Sequence, residues 1–266
     1  MREDLFKALL PTHGEPIDPV EMARRDLRKN LPKRFYKDVS VERRDDGFAL
    51  LLDGRPALSP ARTLLALPTE AAARALAAEW EAQAETIDPA LMPVTRIVNS
   101  ALDGVAREVE AVRAEIVKFA GSDLVCYRVS DPEGLAQSQA VLWDPVLAFA
   151  RHDLGARLVL AEGIVFADQP DHALAAVARA VEAVPASVPL ACVHVITTLT
   201  GSALMALAFA RGAMDAETVW AAAHADEDYQ MRIWGADAEA LARREKRWAE
   251  MRAAAELYRA LTAQDA

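Results

Sequence analysis

Only two of the 266 residues are cysteine, Cys126 and Cys192, and they form neither a C-x-x-C pair nor the framework of several bridges on which small secreted domains depend. A reducing compartment is therefore expected. Aromatic residues make up 6% of a chain that is 53% hydrophobic, and alanine supplies much of the remainder. Alanine combines high helix propensity with little bulk, so this balance favours closely packed helices over a large sheet. Basic residues are in deficit, leaving a formal net charge of −10. Nucleic acid is thereby excluded as the expected partner, because duplex binding needs clustered cations to displace counterions. One basic stretch, Arg24 to Arg34, reads as a solvated helix face.

Glycine is sparse and badly spaced for phosphate chemistry. The eleven glycines fall at 14, 47, 54, 104, 121, 134, 155, 163, 201, 212 and 235. No two are separated by a single residue, none precedes a lysine and no pair lies four apart, so G-x-G-x-x-G, Walker A and G-x-S-x-G motifs are all missing. The five histidines are too dispersed for a zinc-binding helical pair. The best metal candidate is the run His224-Ala225-Asp226-Glu227-Asp228, in which His224 and Asp228 would share a helical face; a solvated acidic face is the plainer reading. Cys192 and His194, two apart, fall on nearly opposite sides of a helix and make a poor nucleophile pair, while Cys126 reads as a small core residue. No cofactor and no bound metal are expected. The competing classes are a metal-assisted hydrolase using His224 and a small-molecule binding protein.

Ala183 to Ala210 contains no Asp, Glu, Lys or Arg, long enough to raise the question of a membrane span. Pro185, Pro189, His194, three threonines and Gly201 within it favour a buried central helix instead, and no membrane insertion is expected. Acids at Glu3 and Asp4 and a short apolar patch, Leu5 to Leu10, match neither a secretory signal nor a transit peptide.

The fold class expected is α+β: a small N-terminal β-meander-plus-helix domain (34–92) followed by a larger all-helical domain (93–266), with a helical or flexible segment (1–33) in front. Phe35, Val39 and Val41 alternate with Tyr36, Asp38 and Ser40 on a first strand, Asp45-Asp46-Gly47 turns, and Phe48, Leu50 and Leu52 mark one face of a second strand. Asp53-Gly54 is a two-residue hairpin signal. Thr69 is placed to cap a helix bearing Ala73, Leu76, Ala77 and Trp80. Beyond Pro93 the apolar period becomes helical and runs to Gly121. Asp123–Val129 reads as an extended link, Ser130-x-x-Glu133 as a capping box, and Asp144-Pro145 as a helix restart. Residues 158–166 read equally as strand or packed loop. Helices follow over 171–184, 189–210, 215–234 and 237–261, the last with Leu241, Trp248, Met251, Ala255 and Tyr258 on its packed face.

Five strings are not generic: Arg34-Phe35-Tyr36-Lys37-Asp38-Val39-Ser40-Val41, Glu79-Trp80-Glu81-Ala82-Gln83, Asp123-Leu124-Val125-Cys126-Tyr127-Arg128, Trp143-Asp144-Pro145 and Tyr229-Gln230-Met231-Arg232-Ile233-Trp234-Gly235. In this order and spacing the chain resembles the Atp-twelve family of mitochondria and alphaproteobacteria, assembly chaperones for the alpha subunit of F-type ATP synthase. The resemblance implies a non-enzyme that holds free alpha until the beta subunit replaces it, built from a small N-terminal α+β domain and a helical C-terminal domain. It also implies a functional acidic residue after the Trp-Gly pair, for which Glu239 and Glu245 both qualify. A bacterial, cytoplasmic member is expected. The residues proposed for partner binding are Trp234 as an apolar anchor, with core packing as its alternative, and the carboxylates Asp226, Glu227, Glu239 and Glu245, with simple solvation as theirs.

Overall fold

The computed structural model describes residues 31–45, 47–163 and 165–263. Residues 1–30, which hold most of the expected segment 1–33 and the greater part of the basic stretch 24–34, lie outside the described residues, as does Asp46 of the first turn. Contacts group Tyr36–Ala82 with Pro89–Ala266 into one compact unit, and Gln83–Asp88 with the residues up to Phe35 into another. In the smaller unit Lys33 and Thr86 form a single antiparallel bridge, and the Arg34 N–H donates to the Glu85 carbonyl at 2.9 Å. The larger unit is α+β, as expected, and the change of period at Pro93 falls inside it, where the sheet layer gives way to helices.

Strands β1 (Val39–Arg44), β2 (Gly47–Leu52), β3 (Arg55–Pro56) and β4 (Ala66–Leu67) form an antiparallel sheet in which β2 pairs with each of the others. Asp53 and Gly54, both at positive φ, make the tight β2–β3 turn, and the Asp53 carboxylate accepts from the backbone N–H groups of Lys37 and Asp38 at 2.9 Å, pinning the start of β1. Gly47 permits a close approach: a Cβ there would sit 2.4 Å from the Leu67 carbonyl oxygen, where β4 joins. Two details of the expected pattern are corrected. Phe35 and Tyr36, expected to share the alternation of the first strand, lie ahead of it, with Tyr36 4% exposed and Phe35 71% exposed. Regular pairing starts only at Val39, so alternation does not extend back to these residues; the Tyr36 hydroxyl instead donates to the Trp80 carbonyl at 2.7 Å. In β2, Ala49 through Leu52 are all buried, because a central strand is covered on both faces and shows no alternation.

Helix α1 (Glu70–Glu81) packs on β1 and β2. Thr69 caps it as expected, accepting from the Ala72 N–H at 3.3 Å while donating to the Ala260 carbonyl at 2.7 Å. The helical layer comprises α2 (Pro93–Ser100), α3 (Val109–Gly121), α4 (Glu133–Phe149), α5 (Asp171–Glu182), α6 (Val188–Thr200), α7 (Ala203–Ala210), α8 (Ala216–Ala223), α9 (Ala225–Trp234) and α10 (Ala238–Thr262). The charge-free stretch is its centre: α6 packs against α10, α7, α2 and α3, and every residue from Ala203 to Phe209 is buried. Among the described residues no helix is long and apolar enough to cross a membrane.

Three local expectations give way. The expected capping box does not form: Pro132 is the extended N-cap of α4 without a side-chain cap, and Glu133 accepts instead from Gln137 at 3.0 Å. Asp144-Pro145 does not restart a helix but lies inside α4. Proline removes the bond to the carbonyl four residues back, and that residue, Val141, is on the exposed face where water can reach. The link at 123–129 is a 3-10 turn, Leu124–Cys126, leading into β5 (Tyr127–Arg128), which pairs in parallel with β6 (Ala161–Glu162). Beside β6, Gln169 plays the part of a strand, accepting from the Val159 N–H at 2.8 Å and donating to its carbonyl at 2.9 Å.

Candidate interaction surface

Helices α9 and α10 form a hairpin joined by Gly235-Ala236-Asp237, with Asp237 capping α10 through the Ala240 N–H at 2.9 Å. Its end is apolar and open: Trp234 is 84% exposed, Ile233 51% and Leu241 45%. Leu241 was expected on the packed face of α10. That face is buried only from Met251 onward, because the first turns of α10 project past the helices that cover the rest. Trp248 marks the transition, its ring 5.3 Å from that of Trp220. Between α8 and α10, Trp220, Leu241, Arg244, Glu245 and Trp248 line an open groove of about 450 Å3.

The five residues named from the sequence fall at two ends of this hairpin. Trp234 and Glu239 sit at the tip, where Glu239 pairs with Arg243 at 2.6 Å. Glu245 is exposed beside the groove, its carboxylate without a hydrogen bond or ion pair among the described residues. Asp226 and Glu227 lie at the far end, seven or eight residues before Trp234 and so about 10–12 Å along the helix. Asp226 is committed to the fold, accepting from Gln139 Nε2 at 2.8 Å, while Glu227 is exposed, 3.8 Å from His224 Nε2. Asp228 pairs with Arg244 and so ties the two helices together. Sequence reasoning passed over Ile233 as an exposed residue. The available signal was an Ile-Trp pair followed by Gly-Ala-Asp-Ala, a turn with no apolar neighbour to cover it.

The metal candidate is not assembled. His224 is 2% exposed and lies against Trp220, the rings tilted by 42° at 3.9 Å and its Nδ1 2.8 Å from the Trp220 carbonyl, and burial lowers its pKa. Asp228 faces Arg244 instead. Among the described residues no group of three or more His, Cys, Asp or Glu is placed to hold a metal ion. Both thiols are buried; burial pushes Cys126 up to about 12, and Cys192 also upward. Protonated thiols of this kind are poor nucleophiles.

The distinctive strings prove to be largely architecture. Asp123 is fully buried and accepts from the N–H groups of Val125 at 3.3 Å and Leu204 at 3.1 Å, capping the start of α7 from a distant segment. Glu79 does the same for α2, accepting from Val94 and Thr95 N–H at 2.7 Å each. Trp143 Nε1 donates to the Ala222 carbonyl at 2.7 Å, and the Arg128 guanidinium lies over its ring while pairing with Asp144 at 2.7 Å. Tyr229 packs against Gly134, where a Cβ would come within 3.1 Å of its ring. In the last string Ile233 and Trp234 are large apolar side chains left exposed, at 51% and 84%.

A family profile described as ATP12 chaperone protein matches residues 33–151. A solved structure from Agrobacterium tumefaciens, titled as a candidate chaperone, is 46% identical with a TM-score of 0.84, over 94% of this chain and 93% of that one. Atp12 from Paracoccus denitrificans is 38% identical with a TM-score of 0.79, over 86% of this chain and 98% of that one, and a lysine-for-aspartate variant of it matches equally. Identity at this level over nearly whole chains defines the class: a chaperone protein with a small sheet layer joined to a helical layer. The chain belongs to the ATP12 chaperone family.

Proposed function

We propose that this chain is an assembly chaperone for F-type ATP synthase that binds the free alpha subunit and covers its beta-facing surface until the catalytic hexamer forms. Family membership supports the assembly role, and the residues of the hairpin support the manner of binding. An unassembled subunit exposes apolar surface meant for its neighbours, and patches of several hundred Å2 invite wrong association. A protein that shields such a surface needs apolar anchors of its own, held on a rigid support and ringed by charge for orientation. Trp234 at 84% exposure is the observation that carries this reading. Ile233 and Leu241 extend the anchor; Glu239 and Glu245 are the charges placed to meet basic groups of the client, with Glu227 and, more weakly, Asp226 along the flank. The chain acts by binding and not by catalysis, in the bacterial cytoplasm.

The test is co-expression of alpha alone, with and without this chain, measuring soluble alpha. Soluble alpha is expected to rise several-fold with the wild-type chain and to fall back with Trp234→Ala. Equal solubility in all three cases would overturn the proposal.

A further inference from the structure

The open groove between α8 and α10 carries chemistry that the apolar tip does not. Trp220, Leu241, Arg244, Glu245 and Trp248 line it, over about 450 Å3. The two indoles meet with ring centroids 5.3 Å apart and planes tilted by 47°. Leu241, 45% exposed, belongs at once to the groove and to the tip, so the two form one continuous surface.

The charges of the groove are unequally engaged. Arg244 reaches across to Asp228 on α9, with Glu227 adding a further attraction, and Arg247, beside Trp248, donates to the Leu199 carbonyl at 2.6 Å. Both cations are thus committed within the chain. Glu245 is not: the positions three and four residues away on α10 are Leu241, Ala242, Trp248 and Ala249, none of them charged, and its carboxylate has no hydrogen bond or ion pair among the described residues. Glu239, by contrast, has Arg243 four residues on. The groove therefore offers one unneutralised negative charge beside two indole rings.

The same pair of groups already holds an arginine elsewhere in this chain, where the Arg128 guanidinium lies 5.4 Å over the Trp143 ring and pairs with Asp144 at 2.7 Å. An indole attracts a cation through its ring quadrupole, and a carboxylate accepts the planar guanidinium fork. Arginine meets both demands at once, whereas the compact, strongly hydrated ammonium of lysine does not stack. A wholly apolar segment would bury the Glu245 carboxylate unpaired, which is costly. We infer that the groove takes an arginine side chain of the client, its guanidinium against Trp220 and Trp248 and paired with Glu245. The chemistry of the groove stands on these residues; the choice of alpha as the arginine's owner rests on the function proposed above.

The experiment measures binding of purified alpha subunit to the full chain and to its Glu245→Gln and Glu245→Arg variants, beside thermal melts. In parallel, the indole N–H resonances of Trp220 and Trp248 are followed while N-acetyl-arginine amide or N-acetyl-lysine amide is added. Glu245 is exposed, so neither substitution is expected to move the melting temperature. Glu245→Gln is expected to bind alpha about fivefold more weakly and Glu245→Arg about twentyfold. The arginine compound is expected to shift both indole resonances saturably in the wild type and not in Glu245→Gln, and the lysine compound to shift them less. Wild-type affinity for alpha in both variants overturns the groove as a client site and leaves the client reading standing. Weaker binding of alpha by the variants, with equal shifts from the two compounds or none, overturns arginine as the occupant. Should alpha fail to bind the wild-type chain, the client reading falls and the resonances decide: shifts lost in Glu245→Gln uphold a guanidinium site, and their absence overturns it. Shifts that grow with the concentration of this chain alone overturn it in favour of contact between copies.

Discussion

Helices α7 and α9 are of similar length and end in an aromatic residue near the C-terminus, Phe209 in one and Trp234 in the other, yet they are opposites. In α7 every residue through Phe209 is buried, whereas in α9 only Ala225 is. Hydrophobic content alone does not decide where a residue goes; α7 is surrounded by α6, α3, α4 and α8, while α9 packs chiefly against α4 and leaves Ile233 and Trp234 exposed. Trp234 is thereby left uncovered, and under the function proposed above it is the anchor that meets the client.

That contrast can be broken in several ways, the largest effect first. Trp143→Ala, in the buried region that α4 shares with α8, removes a fully enclosed ring and its bond to the Ala222 carbonyl; a loss of about 3–5 kcal/mol is expected in denaturant unfolding. Next is the buried carboxyl of Asp123, which burial pushes from 3.8 up to about 6 against the pull of its N–H donors. The folded state then holds this proton more tightly than the unfolded chain does. Its contribution is fully present below the unfolded value and is lost as pH rises through about 6, a fall on the order of 3 kcal/mol from this group. Unfolding curves at a series of pH values should show that slope in the wild type and lose it in Asp123→Asn.

At the tip the expectation reverses: Trp234→Ala should change stability by less than about 0.5 kcal/mol yet weaken alpha binding by about 2 kcal/mol, read from a binding titration beside a thermal melt. A comparable loss of stability would show Trp234 to be packing after all. Smallest is Thr69→Ala, which deletes a cap at the start of α1 and a bond to the end of α10, for about 1 kcal/mol of stability and none of binding.

Much of the fold was legible because local chemistry and tertiary packing agree in it. Asp53-Gly54, Thr69 and the charge-free run at 183–210 each specify their own element. Gly201 and His224 break two of the expected helices, and neither break shows in the period of apolar residues on either side. Phe35 and Tyr36 were counted into the first strand because alternation does not show where the ladder begins, and Pro145 was read as a restart because its cost depends on whether the orphaned carbonyl reaches water. The site was less legible. Trp234 was named with core packing as its alternative, and period does not separate packing from exposure; Leu241 keeps perfect step with Trp248 and Met251 yet is exposed where Met251 is buried. Glu79 and Asp123, conspicuous in sequence, cap helices far along the chain, a relation that spacing does not reveal.

Helix α10 has a mechanical consequence. Its 25 residues make an unbroken rod of about 37 Å. One end carries the Leu241 side of the open tip, and the other is fastened beneath the sheet layer where Ala260 receives the Thr69 hydroxyl. Under the proposed function, force applied by a gripped subunit is borne along this single stiff beam instead of being dissipated in a loop, and the client is presented at one set angle to whatever arrives to take it.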